Sequence, residues 1–280
     1  MKASKRGDFK IAIEFYQLAL RIAKDTGNKD QEATIYNNLG LTYKSLSEIK
    51  KAIEFYQLAL RTAKDTGNKD REANTYINLG SAYQSLRDLE KSIEFCQLAL
   101  TIVKDTGNKD QEAAVYNNLG CVNQYLGDLE KAMELYQLSL RIAKDTGNKD
   151  KEGAIYINLG NFYAHHCDFE KARESYQLAR SIANETGNKD EEQRGYNGLA
   201  DVLWLLGDYS KAEECFKSCI ELVEGMRVLL EGNDEWKISF RNERDCVSRL
   251  VRLQLELIDI AEVYICRSFS IFVPSIFSDS

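Results

Sequence analysis

The chain has 280 residues, 44% of them hydrophobic and 29% charged, a balance typical of a folded protein and not of a disordered one. A net charge of -7 argues against nucleic acid as a partner, and a single proline favours an almost entirely helical chain. No apolar run is long enough to span a membrane and no signal-peptide pattern is present, so we expect no membrane partner and a cytoplasmic location.

The first helical segment, residues 8–24, closely matches the later segment 49–64, which is the second helix of a two-helix unit. We therefore predict that residues 1–29 are a leading half repeat that contains a second helix only. Either the chain is a fragment, or this helix is left without its usual partner. In the second case Phe9, Ile13 and Tyr16 would form an apolar patch, which predicts self-association through the half repeat.

A hexapeptide, Asp-Thr-Gly-Asn-Lys-Asp, divides the chain into units of forty residues, a period typical of stacked repeat proteins. Its copies lie at residues 25–30, 65–70, 105–110 and 145–150, with a variant at 185–190. Its glycine, Gly27 in the first copy, can end a helix in the left-handed conformation, and either Asn28 or Asp30 can cap the next helix. Gln31, Gln111 and Glu191 stand where a capping-box partner belongs. The hexapeptide is therefore predicted to be a turn and not an active site.

Residues 30–224 are predicted to form five tandem units of two helices each. In the first helix of the first unit, Tyr36, Leu39, Gly40 and Tyr43 form one apolar stripe. In the second helix, small residues such as Ala52 and Ala59 would let the two helices approach closely, with aromatic side chains filling the space around them.

This pattern resembles the tetratricopeptide repeat (TPR) family over residues 8–224. The matching positions in the first, second and fourth units are Tyr36/Leu39/Gly40/Tyr43/Ala52/Tyr56/Ala59, Tyr76/Leu79/Gly80/Tyr83/Ser92/Cys96/Ala99 and Tyr156/Leu159/Gly160/Tyr163/Ala172/Tyr176/Ala179. The third and fifth units follow the same positions with Asn123, Ser139, Ala200, Leu203, Phe216 and Cys219 as substitutions. The resemblance implies an all-α fold, a right-handed TPR superhelix (α-solenoid) of antiparallel helix pairs. The period of forty is longer than the family's usual length of about 34 residues, and the usual proline is absent. Long repeats of this kind are similar to those of LGN/Pins-type proteins and of TPR–CHAT proteins.

The forty-residue period fails after residue 224. Residues 225–266 are predicted to be a closing helical segment that covers the apolar end of the solenoid, and residues 267–280 an irregular tail. The segment around Trp236 is similar to the junction that precedes the CHAT domain in TPR–CHAT proteins.

The sequence predicts no catalytic residue, no metal site and no cofactor. His165, His166 and Cys167 are adjacent in sequence, so their side chains point about 100° apart on a helix and do not converge. Cys215 and Cys219 have no second pair at zinc-ligand spacing and occupy core-like positions. The seven cysteines are odd in number and irregularly spaced, which favours reduced thiols.

The remaining candidate is the concave surface, which the TPR resemblance assigns to the first helices. Its lining is rich in amides, which can donate and accept hydrogen bonds with an extended peptide. The predicted groove residues are Asn37, Asn38, Lys44, Asn78, Gln84, Asn117, Asn118, Gln124, Tyr125, Asn161 and Trp204. An alternative for Asn38, Asn78, Asn118 and Asn158 is that they tie neighbouring units together by bonding a backbone carbonyl.

These observations predict a non-catalytic protein–protein interaction scaffold that binds a partner peptide in the concave groove. Lys44 at one end of the groove and Asp201 at the other predict an acidic peptide segment near the first and a basic one near the second. The alternative function is the regulatory TPR half of a CHAT-domain protease-like protein whose catalytic part is missing here.

Overall fold

The computed structural model describes the backbone of residues 2–229 and the side chains of residue 9 and residues 11–222. Within residues 2–229 the chain is helical apart from short turns, and that range contains no strand. The helices are α1 (Lys2–Asp25), α2 (Lys29–Ser45), α3 (Ile49–Asp65), α4 (Lys69–Ser85), α5 (Leu89–Thr106), α6 (Lys109–Leu126), α7 (Leu129–Asp145), α8 (Lys149–His165), α9 (Phe169–Thr186), α10 (Lys189–Leu205) and α11 (Tyr209–Leu229). Helix α11 continues five residues beyond the expected boundary at 224. The rest of the predicted closing segment and the tail 267–280 lie outside the described residues.

The helices pack as five pairs that follow the half repeat α1. Each first helix (α2, α4, α6, α8 and α10) packs against the second helix that comes after it, and each second helix packs against the first helix of the next unit. Successive first helices also contact one another, so they form a continuous layer along one side of the stack. The predicted all-α solenoid of paired helices is confirmed.

The turns between units have the predicted chemistry. Gly67 and Gly107 have φ values of 69° and 70°, so the predicted left-handed glycine is confirmed at both turns. The capping residue is the asparagine of each hexapeptide and not the aspartate, because the Asn28 side chain accepts a hydrogen bond from the backbone N–H of Gln31. The same bond recurs at Asn68, Asn108, Asn148 and Asn188.

The hexapeptides also bond to one another, which the sequence analysis did not foresee. The amide of Asn68 donates to Asp30 of the previous hexapeptide at 3.2 Å. The same donation joins Asn108 to Asp70 at 3.1 Å and Asn148 to Asp110 at 2.8 Å. The predicted capping-box partner Gln111 instead donates to the carbonyl of Asp70. We call this series of asparagine–aspartate bonds the turn ladder.

In the first, third and fourth units the core is built around a glycine of the first helix and a tyrosine of the second. In the third unit the buried ring of Tyr136 lies against Gly120, where an added Cβ would be 2.8 Å from the ring. Gly160 accommodates Tyr176 in the same way. The glycine of the Leu-Gly pair is therefore a slot through which the tyrosine of the second helix reaches the layer of first helices.

The predicted apolar patch on α1 was assigned to the wrong face. Phe9, Ile13 and Tyr16 are half-buried, and the last two lie on the same side of the helix as the fully buried Ala23, which faces α2. The exposed apolar residues of α1 are Ile11, Phe15, Leu18 and Ile22, with relative exposures of 41%, 68%, 51% and 55%. We call these four residues the α1 stripe.

Candidate peptide-binding groove

A pocket of about 440 Å³ opens on the layer of first helices, between α4 and α10. It is lined by Gln84, Cys121, Gln124, Tyr125, Tyr136, Asn158, Asn161, Ala164, His165, Tyr176, Gly198, Asp201, Val202 and Leu205. Twelve of these fourteen residues belong to first helices, which agrees with the surface predicted from the sequence. We call this pocket the groove.

The floor of the groove contains two tyrosine hydroxyls that come from second helices. Tyr136 donates a hydrogen bond of 2.9 Å to Oε1 of Gln124, and Tyr176 donates one of 2.6 Å to Oδ1 of Asn161. Burial raises the pKa of both tyrosines well above the usual value, so the hydroxyls stay protonated and act as donors. Because each amide oxygen is held by a hydroxyl, the NH2 groups of Gln124 and Asn161 are the ends left to serve a ligand.

Of the predicted groove residues, Gln84, Gln124, Tyr125 and Asn161 line the groove. Tyr125 is 53% exposed, and the guanidinium of Arg87 lies 4.3 Å from the centre of its ring. These four residues share one pocket, and their part in peptide binding stays a prediction.

Three other predicted residues take part in bonds between units. Asn78 donates to Oδ1 of Asn37 at 2.8 Å, and Asn158 donates to Oδ1 of Asn117 at 2.9 Å. The link between units exists, but its acceptor is a side-chain amide and not the backbone carbonyl expected in the alternative interpretation. Asn118 forms no such pair, because the partner position is occupied by the buried isoleucine Ile77.

The remaining predicted residues lie outside the groove lining. Lys44 is half-buried and donates to the hydroxyl of Ser81, and burial lowers the pKa of its ammonium group. Trp204 is half-buried against the apolar cluster that contains Phe216, whereas the next residue, Leu205, lines the groove and is 62% exposed. Asn38 is half-buried on α2.

Sequence reasoning missed the contribution of the second helices. Tyr136 and Tyr176 have the apolar spacing of core residues, and their rings are indeed buried. The available signal was the glycine that faces each ring, Gly120 or Gly160, because a ring seated on a glycine slot can pass through the helix layer and place its hydroxyl on the other side.

The electrostatic character of the groove comes from few groups. Asp201 lies in the lining, and its charge contributes to the raised pKa of the Tyr176 hydroxyl, while the charge of Arg194 acts in the opposite direction. Burial raises the pKa of the Cys121 thiol, whose sulfur lies 3.3 Å from the hydroxyl oxygen of Tyr136. The groove is therefore largely uncharged, with an acidic group at the α10 end.

The two histidines and Cys167 lie at the end of α8 and in the turn that follows it. His165 lines the groove at the end of α8, while Cys167 is an exposed turn residue with a φ of 59°. His166 packs against Phe162, with ring centres 4.7 Å apart. Over the described side chains, no three histidine, cysteine or acidic residues are grouped so that they could hold a metal ion. None of the helices between residues 2 and 229 has the length and apolar character that crossing a membrane requires.

A stack of two-helix units with a groove along its first helices is an α-solenoid of the protein-interaction class. The family model for the tetratricopeptide repeat matches residues 3–65, 71–145 and 152–225. The chain therefore belongs to the tetratricopeptide repeat family. No match was found among curated proteins.

Solved structures with the same fold come from different proteins. BtubC from P. vanneervenii is 24% identical with a TM-score of 0.60, and the match covers 80% of this chain and 92% of that one. A STAND protein with a tetratricopeptide repeat sensor from Pyrococcus horikoshii is 19% identical with a TM-score of 0.60, over 92% of this chain and 40% of that one. Rap protein complexed with Competence and Sporulation Factor is 17% identical with a TM-score of 0.62, over 89% of this chain and 73% of that one. At these identities the similarity establishes the fold.

Proposed function

We propose that this chain is a non-catalytic scaffold that binds an extended segment of a partner protein in the groove. The observation that carries the proposal is the pair of amides, Gln124 and Asn161, whose oxygens are fixed by buried tyrosine hydroxyls. Fixed amides lose little side-chain entropy on binding, so their NH2 groups are preorganised donors for the carbonyls of an extended peptide.

The exposed apolar residues of the groove supply the second part of the binding chemistry. Tyr125 and Leu205 are more than half exposed on either side of the amides, and burial of such side chains by a ligand is favourable. A peptide that fits therefore has a backbone free to accept hydrogen bonds and apolar side chains that contact Tyr125 and Leu205.

Charge gives the bound peptide a direction. Lys44 lies in α2, beyond one end of the groove, and Asp201 lines the other end. Because the lysine is desolvated and its partner Ser81 is uncharged, an acidic peptide residue nearby would be favourable. A basic residue would be favourable near Asp201.

The absence of catalysis is part of the proposal, and so is a cytoplasmic location. Cys167 lies in an exposed turn with a φ of 59°. The similar Rap structure is complexed with Competence and Sporulation Factor, which fits a ligand-binding role for this fold. The alternative, a regulatory half of a CHAT-domain protease-like protein, stays a prediction.

The test is a selection of peptide ligands with the purified full chain, followed by affinity measurements on variants. Alanine at Asn117, Gln124 or Asn161 would remove the acceptor of a buried or half-buried donor and confuse binding with folding. The exposed pair Tyr125→Ala and Leu205→Ala is the better variant. We expect it to weaken binding of the selected peptide at least tenfold, about 1.4 kcal/mol, without changing the helical signal or melting temperature.

The matched control is Glu94→Ala with Glu134→Ala, two exposed residues on the second helices α5 and α7. This control should bind the peptide as the wild type does. If the control loses binding and the groove variant keeps it, the partner uses the outer surface and the proposed function of the groove is wrong.

A further inference from the structure

The α1 stripe is the largest run of exposed apolar side chains on one helix of the described structure. Its members, Ile11, Phe15, Leu18 and Ile22, are spaced by four, three and four residues. This is the heptad spacing with which one helix packs against another helix by inserting side chains into its surface. The stripe lies away from the face that packs against α2, so α1 can hold α2 and a further helix at the same time.

The other units show what normally covers this face. Phe55 and Phe95, which correspond to Phe15, stack on Tyr43 and Tyr83 of their own first helices at 5.1 Å and 5.3 Å between ring centres. Ile182, which corresponds to Ile22, is 7% exposed and lies next to Gly153 of its first helix. The positions of Phe15 and Ile22 are therefore helix-binding positions of the repeat. The counterparts of Leu18 stay exposed in the full units, at 42% for Leu58, 41% for Leu98 and 46% for Leu178.

The stripe also differs from the corresponding residues of the other second helices. At the position of Ile11 every other unit has a lysine, and in the first, second and fourth full units that lysine forms an ion pair and lies over a tyrosine ring of the first helix. The lysines are Lys51, Lys91, Lys131, Lys171 and Lys211. An isoleucine at this position extends the apolar stripe by one turn and removes the group that suits a tyrosine-bearing first helix. The stripe is thus suited to a different, more apolar helix.

We propose that the α1 stripe is a self-association surface on which α1 of a second copy packs in antiparallel orientation. In that pairing Ile11 of one copy meets Ile22 of the other, and Phe15 meets Leu18, so the four residues form four layers under one two-fold axis. The stripe covers itself without requiring a different partner.

The charges beside the stripe select the antiparallel orientation. Glu14 and Arg21 are exposed on the same flank, seven residues apart. Antiparallel packing places Glu14 of each copy opposite Arg21 of the other, which gives two ion pairs related by the two-fold axis. Parallel packing would place Glu14 opposite Ala19 and form no ion pair. On the other flank Ala12 and Ala19 are small, so the two helices can approach closely.

The first experiment is sedimentation velocity of the full chain over a range of concentrations, with Ile11→Lys as the variant. This change restores the residue found in the other units at an exposed site, so the fold is retained. We expect the wild type to show a monomer–dimer equilibrium and Ile11→Lys to weaken dimerisation at least tenfold. Leu98→Lys is the matched control, because Leu98 is also 41% exposed on a second helix, and it should dimerise as the wild type does.

The second experiment tests the orientation through charge. Arg21→Glu should weaken dimerisation about tenfold, because both ion pairs become repulsive contacts. Arg61→Glu, at the same exposed position of α3, is the control and should have no effect. Mixing Arg21→Glu with Glu14→Arg should restore a dimer that contains one copy of each variant. A wild type that stays monomeric at its highest soluble concentration overturns the proposal. So does a dimer that Ile11→Lys leaves intact, or a mixture of the two charge variants that stays monomeric.

Discussion

Two neighbouring junctions of the solenoid look alike in their cores and differ in their polar links. Between the third and fourth units, Asn158 donates to Asn117, Asn148 donates to Asp110, and Lys151 lies 3.7 Å from the same aspartate. Between the fourth and fifth units, glycine and isoleucine stand where the amide pair would be, at Gly198 and Ile157. Of these two junctions, the one without the amide pair forms the α10 end of the groove.

The glycine at 198 has a structural reason. The ring of Tyr176 lies against both Gly160 and Gly198, and an asparagine side chain at 198 would collide with it. The space for this ring is therefore present where the other junction has its amide pair. The hydroxyl of the same tyrosine donates a hydrogen bond to Asn161 in the groove. The comparison teaches that one repeat position has two uses. It links two units when it is an asparagine, as at Asn158, and it makes room for a ring in the groove when it is a glycine, as at Gly198.

The junction between the fourth and fifth units also has unfavourable charges. Where Arg71 and Lys151 of earlier units pair with an aspartate of the previous hexapeptide, the fifth unit has Glu191. Burial raises the pKa of the Glu191 carboxyl, and the neighbouring charge of Asp150 adds to the increase. One carboxylate oxygen of Glu191 is buried without a hydrogen-bond partner and lies beside Gly153.

The largest expected effect comes from placing an asparagine at position 198, between the fourth and fifth units. Gly198→Asn should lower the free energy of unfolding by about 1–3 kcal/mol, because the added side chain overpacks against the Tyr176 ring. Chemical denaturation followed by circular dichroism measures the change. Tyr176→Cys, the residue at this position in the second unit, should recover part of the loss in the double variant. A Gly198→Asn protein as stable as the wild type would show that the ring moves away without cost.

A smaller loss of stability is expected from removing the amide pair between the third and fourth units. Asn117→Ala should cost about 1 kcal/mol of stability, because the half-buried amide of Asn158 loses its acceptor. Asn118→Ala in the same helix is the control and should change stability by less, since this asparagine has Ile77 at its partner position. Equal losses in the two variants would mean that the amide pair contributes nothing specific.

The smallest expected effect is a gain in stability at the junction between the fourth and fifth units. Glu191→Gln should raise stability at neutral pH by a few tenths of a kcal/mol, and Glu191→Lys by about 0.5 kcal/mol, because the residue is partly exposed and the charges are screened. A carboxyl with a raised pKa in the folded state destabilises most when it is ionised. The advantage of Glu191→Gln should therefore be greatest at neutral pH and shrink as pH falls toward 4.5, the ordinary value for glutamate. Thermal melts across that range test the sign, and an advantage that grows on acidification would contradict it.

Much of the fold could be predicted because its causes are local. The period of the hexapeptide, the left-handed glycines and the stripe of Tyr36, Leu39 and Gly40 all act within a few residues, and each was found in the structure. The choice of Asn28 over Asp30 as the cap needed the structure, since both can accept the same bond.

Less of the candidate groove could be predicted, because its causes connect different units. Asn37 and Asn117 vary between units as ligand-binding residues do, but they vary because each accepts a bond from a residue 41 positions later. The hydroxyl of Tyr176 enters the groove through a gap that two glycines on different first helices create. The sequence of a single unit shows neither the bonds between residues 41 positions apart nor the gap between two first helices.

The turn ladder has a consequence for how such a chain can grow. In the second and third hexapeptides the asparagine donates to the unit before it and the aspartate accepts from the unit after it. Donor and acceptor lie two residues apart in the same short segment, so a tandem duplication of one unit copies both at once. Each new boundary between units then has both partners of the hydrogen bond at once, and no further substitution is needed. Duplication can therefore lengthen the solenoid without losing this link between units.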